Sequence, residues 1–243
     1  IFERAGFPAV ATTSAGIANS LGYPDGQCAP RDEVLFVVRR IARTVKVPVT
    51  ADIEAAYAVG SVARAVETVR LVLDAGAIGI NIEDSIPPEG ALVEPDRQCA
   101  AIQAIRALGD RVGIPVVINA RTDVFSGAIP AVEGCAAEAT RRARAYLDAG
   151  ADSIFVPFVT EAPVIARLVE SIPGPVNILA MPGTPSAGDL EKMGVARLSV
   201  GSGPNRATLA LVKRIAEELR DAGTYNSFME FTMPYAEANA LFK

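Results

Sequence analysis

The sequence predicts a parallel α/β barrel of the TIM, or (β/α)8, type, and three observations predict it. Short runs rich in Val and Ile alternate with amphipathic stretches of helical length along almost the whole chain. Several helical stretches close on a glycine and enter the next apolar run directly, as in Asp74-Ala75-Gly76, Asp148-Ala149-Gly150 and Lys192-Met193-Gly194. Strands this apolar, joined by crossover helices, imply a parallel sheet covered on its outer face.

Strands are expected at residues 9–14, 47–52, 78–83, 116–121, 153–157, 176–180 and 197–200. Helices are expected at about 32–45, 61–75, 97–108, 136–149, 162–171, 187–193 and 204–222. Seven strands are found where eight close a barrel that side chains fill. Residues 1–6 read as the end of a helix, so a first strand is expected ahead of Ile1. The alternative is an open doubly wound sheet, which usually carries a glycine-rich dinucleotide turn; no G-x-G-x-x-G is present. The uncharged stretch 5–24 reads as a strand and loop, because Thr12, Thr13, Ser14, Asn19 and Ser20, with glycines and two prolines, interrupt it. Residues 1–222 form one barrel domain in this reading. Residues 223–243 form a helical tail whose Phe228, Phe231, Tyr235, Leu241 and Phe242 pack on their own barrel or on a neighbouring subunit.

Composition narrows the function classes. The 243 residues are half apolar and about a fifth charged, enough for one large core. A net charge of -5 with no Lys/Arg-rich run leaves no footprint for nucleic acid, and no membrane segment or secretory signal is visible. A small molecule is the expected partner. Cys28, Cys99 and Cys135 are too scattered for a disulfide framework or metal knuckle, which favours a reducing cytoplasm. The chain has no histidine, so Ser-His-Asp, Cys-His and histidine-zinc chemistry are excluded.

In a parallel barrel the working residues sit at the C-terminal ends of the strands. Here one strand ends Asp52-Ile53-Glu54, which the pleat places on one side; the next ends Asn81-Ile82-Glu83-Asp84, and the next Asn119-Ala120-Arg121-Thr122-Asp123. Asp84 and Asp123 read as carboxylates that cap a helix or pair with arginine. Clustered Asp52, Glu54 and Glu83 repel one another unless a cation joins them, and all-oxygen donors suit Mg²⁺ or Mn²⁺. Small residues around Ser14, Ala15 and Gly16 let backbone N–H groups approach an anion. Gly201-Ser202-Gly203-Pro204-Asn205 is either a second anion site at a helix start or a plain turn.

The ordered motifs Thr13-Ser14-Ala15-Gly16 with Pro24-Asp25-Gly26, Ala51-Asp52-Ile53-Glu54 followed by Tyr57, Asn81-Ile82-Glu83-Asp84-Ser85 and Asn119-Ala120-Arg121-Thr122-Asp123 resemble those of the isocitrate lyase and phosphoenolpyruvate mutase superfamily. The resemblance spans nearly the whole chain. It implies a TIM barrel whose last helix is swapped between subunits, usually in a dimer of dimers. It implies Asp52 as the direct Mg²⁺ ligand, with Glu54 and Glu83 holding the ion through water. Ser14, Ala15 and Gly16 would bind the substrate carboxylate with Asn119 nearby, Arg121 would contact its oxygens, and Asp25 would sit beside them. The shared chemistry makes or breaks a bond next to an enolate of an α-oxo acid.

The loop after the Glu-Asp strand, Ile86 to Pro95, contains none of the cysteine, lysine, histidine or asparagine that better-known subfamilies carry there, and Cys99 just beyond it reads as a core or surface residue. Decarboxylation needs an electron sink more than a dedicated acid, which suits so bare a loop. The expected activity is a Mg²⁺-dependent carbon-carbon lyase for a small α-oxo or hydroxy di- or tricarboxylate. A phosphoenolpyruvate or phosphonopyruvate enzyme is the first alternative, and a non-catalytic oxo-acid-binding barrel the second.

Overall fold

The computed structural model describes residues 1–58, 60–86, 90–128 and 132–242. Seven parallel strands form one sheet: β1 (Val10–Ala11), β2 (Val49–Asp52), β3 (Gly79–Glu83), β6 (Val117–Arg121), β7 (Ser153–Val156), β8 (Val176–Leu179) and β9 (Arg197–Ser199), each bonded to the next in chain order. The sheet curls: residues of both edge strands, Val10 and Ala11 of β1 and Leu198 and Ser199 of β9, line one cavity inside it. Helices α2 (Arg31–Thr44), α3 (Val62–Asp74), α4 (Pro95–Val112), α5 (Val132–Asp148), α6 (Ala162–Ser171) and α7 (Ala187–Lys192) connect the strands. The half-barrel is the expected fold with seven strands.

Alternation within the strands explains both faces. Ile80 and Ile82, Ile118 and Ala120, Ile154 and Val156, and Val176 and Ile178 face the helices and are almost wholly buried. They meet Val69 and Val72 of α3, Ile102 and Ile105 of α4, Ala139 and Ala143 of α5, and Ile165 and Leu168 of α6 in one core. Full burial of each isoleucine side chain contributes on the order of 2–3 kcal/mol. The residues between them, Asn81, Glu83, Asn119, Arg121, Ser153 and Asn177, face the inside of the curl. The expected helix ends hold: Gly76, Gly150 and Gly194 have φ of 99°, 108° and 88°, a conformation that side chains with a Cβ disfavour.

Three expectations are corrected. Residues 14–20, read as strand and loop, form helix α1 (Ser14–Ser20), because the short β1 ends at Ala11 and Thr13, in extended conformation, starts a helix. Residues 1–6 make turns, with Ala5 N–H bonded to Ile1 O at 2.9 Å, and are not part of a regular helix. The loop after β3 is a hairpin of β4 (Ser85–Ile86) and β5 (Ala91–Leu92); Pro87, Pro88 and Glu89 of that loop lie outside the described residues.

The C-terminal part differs from the rest. Helix α8 (Gly203–Ala222) has no buried residue, and Leu209, Val212 and Leu219 form an exposed apolar stripe at helical spacing. Helices α9 (Asn226–Phe231) and α10 (Tyr235–Ala240) follow, with Tyr225, Phe231 and Tyr235 exposed as well. No described helix is long and apolar enough to cross a membrane.

Candidate active site

Sheet register builds the site. Asp52, Asn81 and Asn119 are partners across β2, β3 and β6, and Glu83 is the partner of Arg121 two residues further along. In-register side chains of neighbouring strands share a face, so two polar layers form inside the curl. In the lower layer Ser153 Oγ donates to Asn119 Oδ1 at 2.7 Å, Asn119 Nδ2 to Asn81 Oδ1 at 2.9 Å, and Asn81 Nδ2 to Asp52 Oδ1 at 2.9 Å. Every bond in this chain runs toward the carboxylate, so each polarises the next. The other oxygen of Asp52 accepts the N–H of Ser14 at 2.9 Å, and Asp52 N–H donates to Thr12 Oγ1. Arg197 adds positive charge near Asp52; burial lowers its guanidinium pKa while that carboxylate holds it up.

The upper layer is an ion-pair cluster. Arg121 places one terminal nitrogen 2.9 Å from Glu83 Oε2 and its Nε 2.7 Å from Asp123 Oδ1. Ser85 Oγ lies 3.1 Å from Glu83 and 2.7 Å from Asp123. The Phe158 ring, at a φ of 67°, covers the guanidinium at 5.8 Å. Burial pushes the Glu83 carboxyl above the usual range against the pull of Arg121, and the charges of Asp123, Asp52 and Glu54 push the same way.

Glu54 arrives by a route the pleat does not provide. Strand β2 ends at Asp52, and Glu54, Ala56 and Tyr57 all have left-handed backbones, with φ of 51°, 61° and 53°. The expectation that Asp52 and Glu54 share one side of a strand is therefore replaced by a strained turn. Left-handed residues with a Cβ cost on the order of 1–3 kcal/mol each and are held only where surroundings over-determine them. Here Thr68 Oγ1 of α3 donates to Ala56 O at 2.8 Å, Glu83 N–H donates to Glu54 O at 3.0 Å, and Gln27 N–H donates to Glu54 Oε2 at 2.7 Å. Burial, then the charges of Asp25 and Asp52, raise the Glu54 carboxyl to about 7. Burial and the charges of Glu54, Asp52 and Asp25 also push the Tyr57 phenol well above its ordinary value.

The sequence-derived residues thus gather at one end of the sheet, with differences in detail. Ser14 commits its N–H to Asp52, and Ala15 and Gly16 follow in the first turn of α1. Gly16 has a steric reason: a Cβ there would stand 2.5 Å from Thr13 Cγ2. Asn119 is engaged on both amide atoms by Ser153 and Asn81. Asp84 is arginine-paired as expected: fully buried, it accepts from Thr122 Oγ1, Asp123 N–H, Tyr146 Oη and Arg142. Asp123 is also arginine-paired, but its arginine is Arg121, which brings it into the site. Sequence reasoning missed Asp123, Ser85, Asn81 and Arg197 as site residues. Aligning the strands by their last apolar residue would have put Asn81 level with Asp52 and Asn119.

A cavity of ≈ 380 Å³ inside the curl is lined by Thr12, Thr50, Asp52, Asn81, Asn119 and Arg197 among others. Thr50 Oγ1, from a residue lining this cavity, and Asn177 Nδ2 on β8 are buried without a hydrogen-bond partner. Among the described residues no ion pair reaches Asp25, Asp52 or Glu54, and no three acidic or thiol side chains converge closely enough to enclose a metal directly. The donor set, all carboxylate oxygen with unbalanced negative charge, fits a hydrated hard cation held directly by few groups.

A curled parallel sheet with acidic side chains and an arginine gathered at the C-terminal strand ends defines an α/β-barrel protein whose polar centre lies where such folds carry their active sites. The chain belongs to the phosphoenolpyruvate phosphomutase family, whose model matches residues 1–220, within the isocitrate lyase and phosphoenolpyruvate mutase superfamily. It is 35% identical over 97% of its length to an uncharacterized protein of Mycobacterium tuberculosis (strain ATCC 25618 / H37Rv), of which it covers 84%. It is 30% identical to 2-methylisocitrate lyase of Escherichia coli (strain K12), over 94% of this chain and 78% of that one. A solved structure of a protein provisionally described as a lyase/mutase from Burkholderia cenocepacia J2315 superposes with a TM-score of 0.90 at 32% identity, over 99% of this chain and 86% of that one. Those of its relatives whose names give an activity include 2-methylisocitrate lyases.

Proposed function

We propose that the protein is a Mg²⁺- or Mn²⁺-dependent lyase that cleaves a carbon-carbon bond of a small α-oxo or hydroxy di- or tricarboxylate through an enolate. The observation that carries this reading is a group of carboxylates without an ion-pair partner, buried Glu54, half-buried Asp52 and exposed Asp25, beside a guanidinium, Arg121, fixed by Glu83 and Asp123. Asp52 would hold the ion directly, with Glu54 and Glu83 behind water. A divalent ion there supplies Lewis-acid stabilisation of negative charge on the substrate's oxygen.

The chain's own groups do the rest. Arg121 has five N–H donors, and with two of its nitrogens fixed by Glu83 and Asp123 its remaining hydrogens are free to donate to an enolate oxygen without reorganisation. Tyr57, kept protonated by burial and then by its acidic neighbours, offers an O–H. The first turn of α1, at Ser14, Ala15 and Gly16, receives the substrate carboxylate, with Asn119 behind Asn81 and Asp52 and Asp25 at the mouth. Decarboxylation of oxaloacetate is the simplest reaction within this reach.

The reading includes a homo-oligomer, a dimer or dimer of dimers, because α8 leaves its apolar stripe uncovered. It places the protein in the cytoplasm, consistent with the free thiols of Cys28 and Cys99. The relatives named for phosphoryl chemistry support a second reading, a phosphoenolpyruvate or phosphonopyruvate enzyme; an oxo-acid-binding barrel without turnover is the third. A screen of oxaloacetate, 2-methylisocitrate and phosphonopyruvate with Mg²⁺, following pyruvate and phosphoenolpyruvate, separates the three. Pyruvate from oxaloacetate or 2-methylisocitrate supports the lyase, conversion of phosphonopyruvate to phosphoenolpyruvate or to pyruvate and phosphate supports the second reading, and binding without turnover leaves the third. Calorimetric titration of Asp52→Ala with Mg²⁺ checks the ligand assignment, and unchanged affinity removes Asp52 from it.

A further inference from the structure

Behind Arg121 lies a second polar cluster, fully inside the protein. Glu83 and Ser85 bond to Arg121 and Asp123 in the site, whereas Asp84, between them in sequence and wholly buried, bonds to the backbone and to α5. Its Oδ1 accepts the Asp123 N–H at 2.9 Å, its Oδ2 accepts Thr122 Oγ1 at 2.8 Å, and its own N–H donates to Arg121 O at 3.2 Å. One residue thus holds three consecutive residues at the end of β6. Two side chains of α5, one turn apart, hold Asp84 in turn. Tyr146 Oη donates to Asp84 Oδ2 at 2.7 Å, and Arg142 donates to the same oxygen at 3.0 Å and to Tyr146 Oη at 3.2 Å. Arg142 also donates to Val93 O at 2.8 Å, and Val93 N–H donates to Asp84 O at 2.8 Å, so the far leg of the hairpin joins the cluster. Burial, then the charge of Asp84, push the Tyr146 phenol well above its ordinary value and keep it a donor.

Burying a carboxylate with a guanidinium is costly in desolvation, and apolar side chains of the same volume are often as stable or more so. Apolar contacts, however, are not directional, whereas each of these bonds fixes one atom at the end of β6 in distance and angle. The value of Arg121 depends on that placement, because misplacement of a group by about 1 Å can cost on the order of a hundredfold in rate. We propose that Tyr146 and Arg142 are positioning residues: acting through Asp84, they hold residues 121–123 against residues 83–85 and so set where the Arg121 guanidinium stands. The placement is independent of the oxo-acid reading above, and only its effect on turnover rests on that reading.

The test is Tyr146→Phe, which removes one donor and keeps the ring, read by amide hydrogen exchange on the full chain without metal. Peptides holding Asp123 and Val93, whose N–H groups end on Asp84, are expected to exchange about tenfold faster, with peptides of β8 and α6 unchanged. Arg142→Lys serves where the first variant does not fold. Ile165→Val, a buried change on α6 outside the cluster, is the control and is expected to leave both peptides unmoved. With oxaloacetate and Mg²⁺, kcat of Tyr146→Phe is expected to fall about ten- to a hundredfold with KM within about twofold. Unchanged exchange, a uniform rise along the chain, or a parental kcat overturns the proposal. Faster exchange confined to the two peptides, in a chain whose parent turns over no oxo acid, supports the placement and overturns the oxo-acid reading.

Discussion

Replacing Glu54 with Gln is expected to stabilise the metal-free protein at neutral pH, although it removes a buried residue of the proposed centre. The Glu54 carboxyl is raised from 4.5 to about 7 by burial and by Asp25 and Asp52. Below pH 4.5 it is protonated in folded and unfolded chains alike. Between 4.5 and 7 the unfolded chain releases its proton while the folded chain keeps it, so stability falls as pH rises, and above 7 the loss is complete. At about 1.4 kcal/mol per pH unit, the gap between the two values corresponds to roughly 3 kcal/mol. Glutamine keeps an acceptor for the Gln27 N–H, now 2.7 Å from Glu54 Oε2, and carries no charge to repel Asp25 and Asp52. Urea unfolding in a chelator at pH 4.5, 6, 7 and 8 is the assay. The variant is expected to lose less stability than the parent across this range and to exceed it by roughly 2–3 kcal/mol at pH 8. Saturating Mg²⁺ is expected to restore the parent more than the variant. Parallel pH profiles in the chelator would refute the account of Glu54 as an unbalanced buried charge.

Three further outcomes are expected. Arg121→Lys keeps the charge but cannot span Glu83 and Asp123 with a planar fork, so kcat/KM should fall by roughly a hundredfold or more; a parental rate in steady-state assays would remove Arg121 from catalysis. Asp84→Ala removes the fully buried partner of Arg142, which keeps Glu138, and leaves the Thr122 and Tyr146 hydroxyls and the Asp123 N–H without their acceptor, so it should cost about 3 kcal/mol in urea unfolding, and a cost under 1 kcal/mol would show that the cluster is not needed. Leu209→Glu combined with Val212→Glu on the exposed stripe of α8 should shift the protein to monomers in light scattering, and an unchanged mass would move the subunit contact elsewhere.

Most of the strands and helices follow from local pattern. The alternation of Val- and Ile-rich runs with helical stretches, and glycines at 76, 150 and 194, marked every strand of the sheet because burial and left-handed turns act over a few residues. Helix α1 was missed for the converse reason. Ser14, Gly16 and Asn19 are weak helix formers, and what holds the segment is a contact to Asp52, 38 positions away.

The same division runs through the site. Carboxylates and an arginine at the ends of apolar strands are visible in the chain as written, because a residue type that burial disfavours needs a compensating partner. Which partner it finds depends on register and backbone conformation. Register sets Glu83 opposite Arg121 and aligns Asp52, Asn81 and Asn119, a relation between strands about 30 to 40 positions apart that no single segment carries and that only a comparison of the strand ends brings out. The left-handed turn that swings Glu54 toward Asp25 is fixed by Thr68 and Gln27 from other elements. Sequence alone determined the parallel α/β architecture and the stock of polar groups at its C-terminal end; tertiary structure decided which charges are neutralised and which are left in excess, because pairing energies at low dielectric depend on ångström-scale distances that only the folded chain sets.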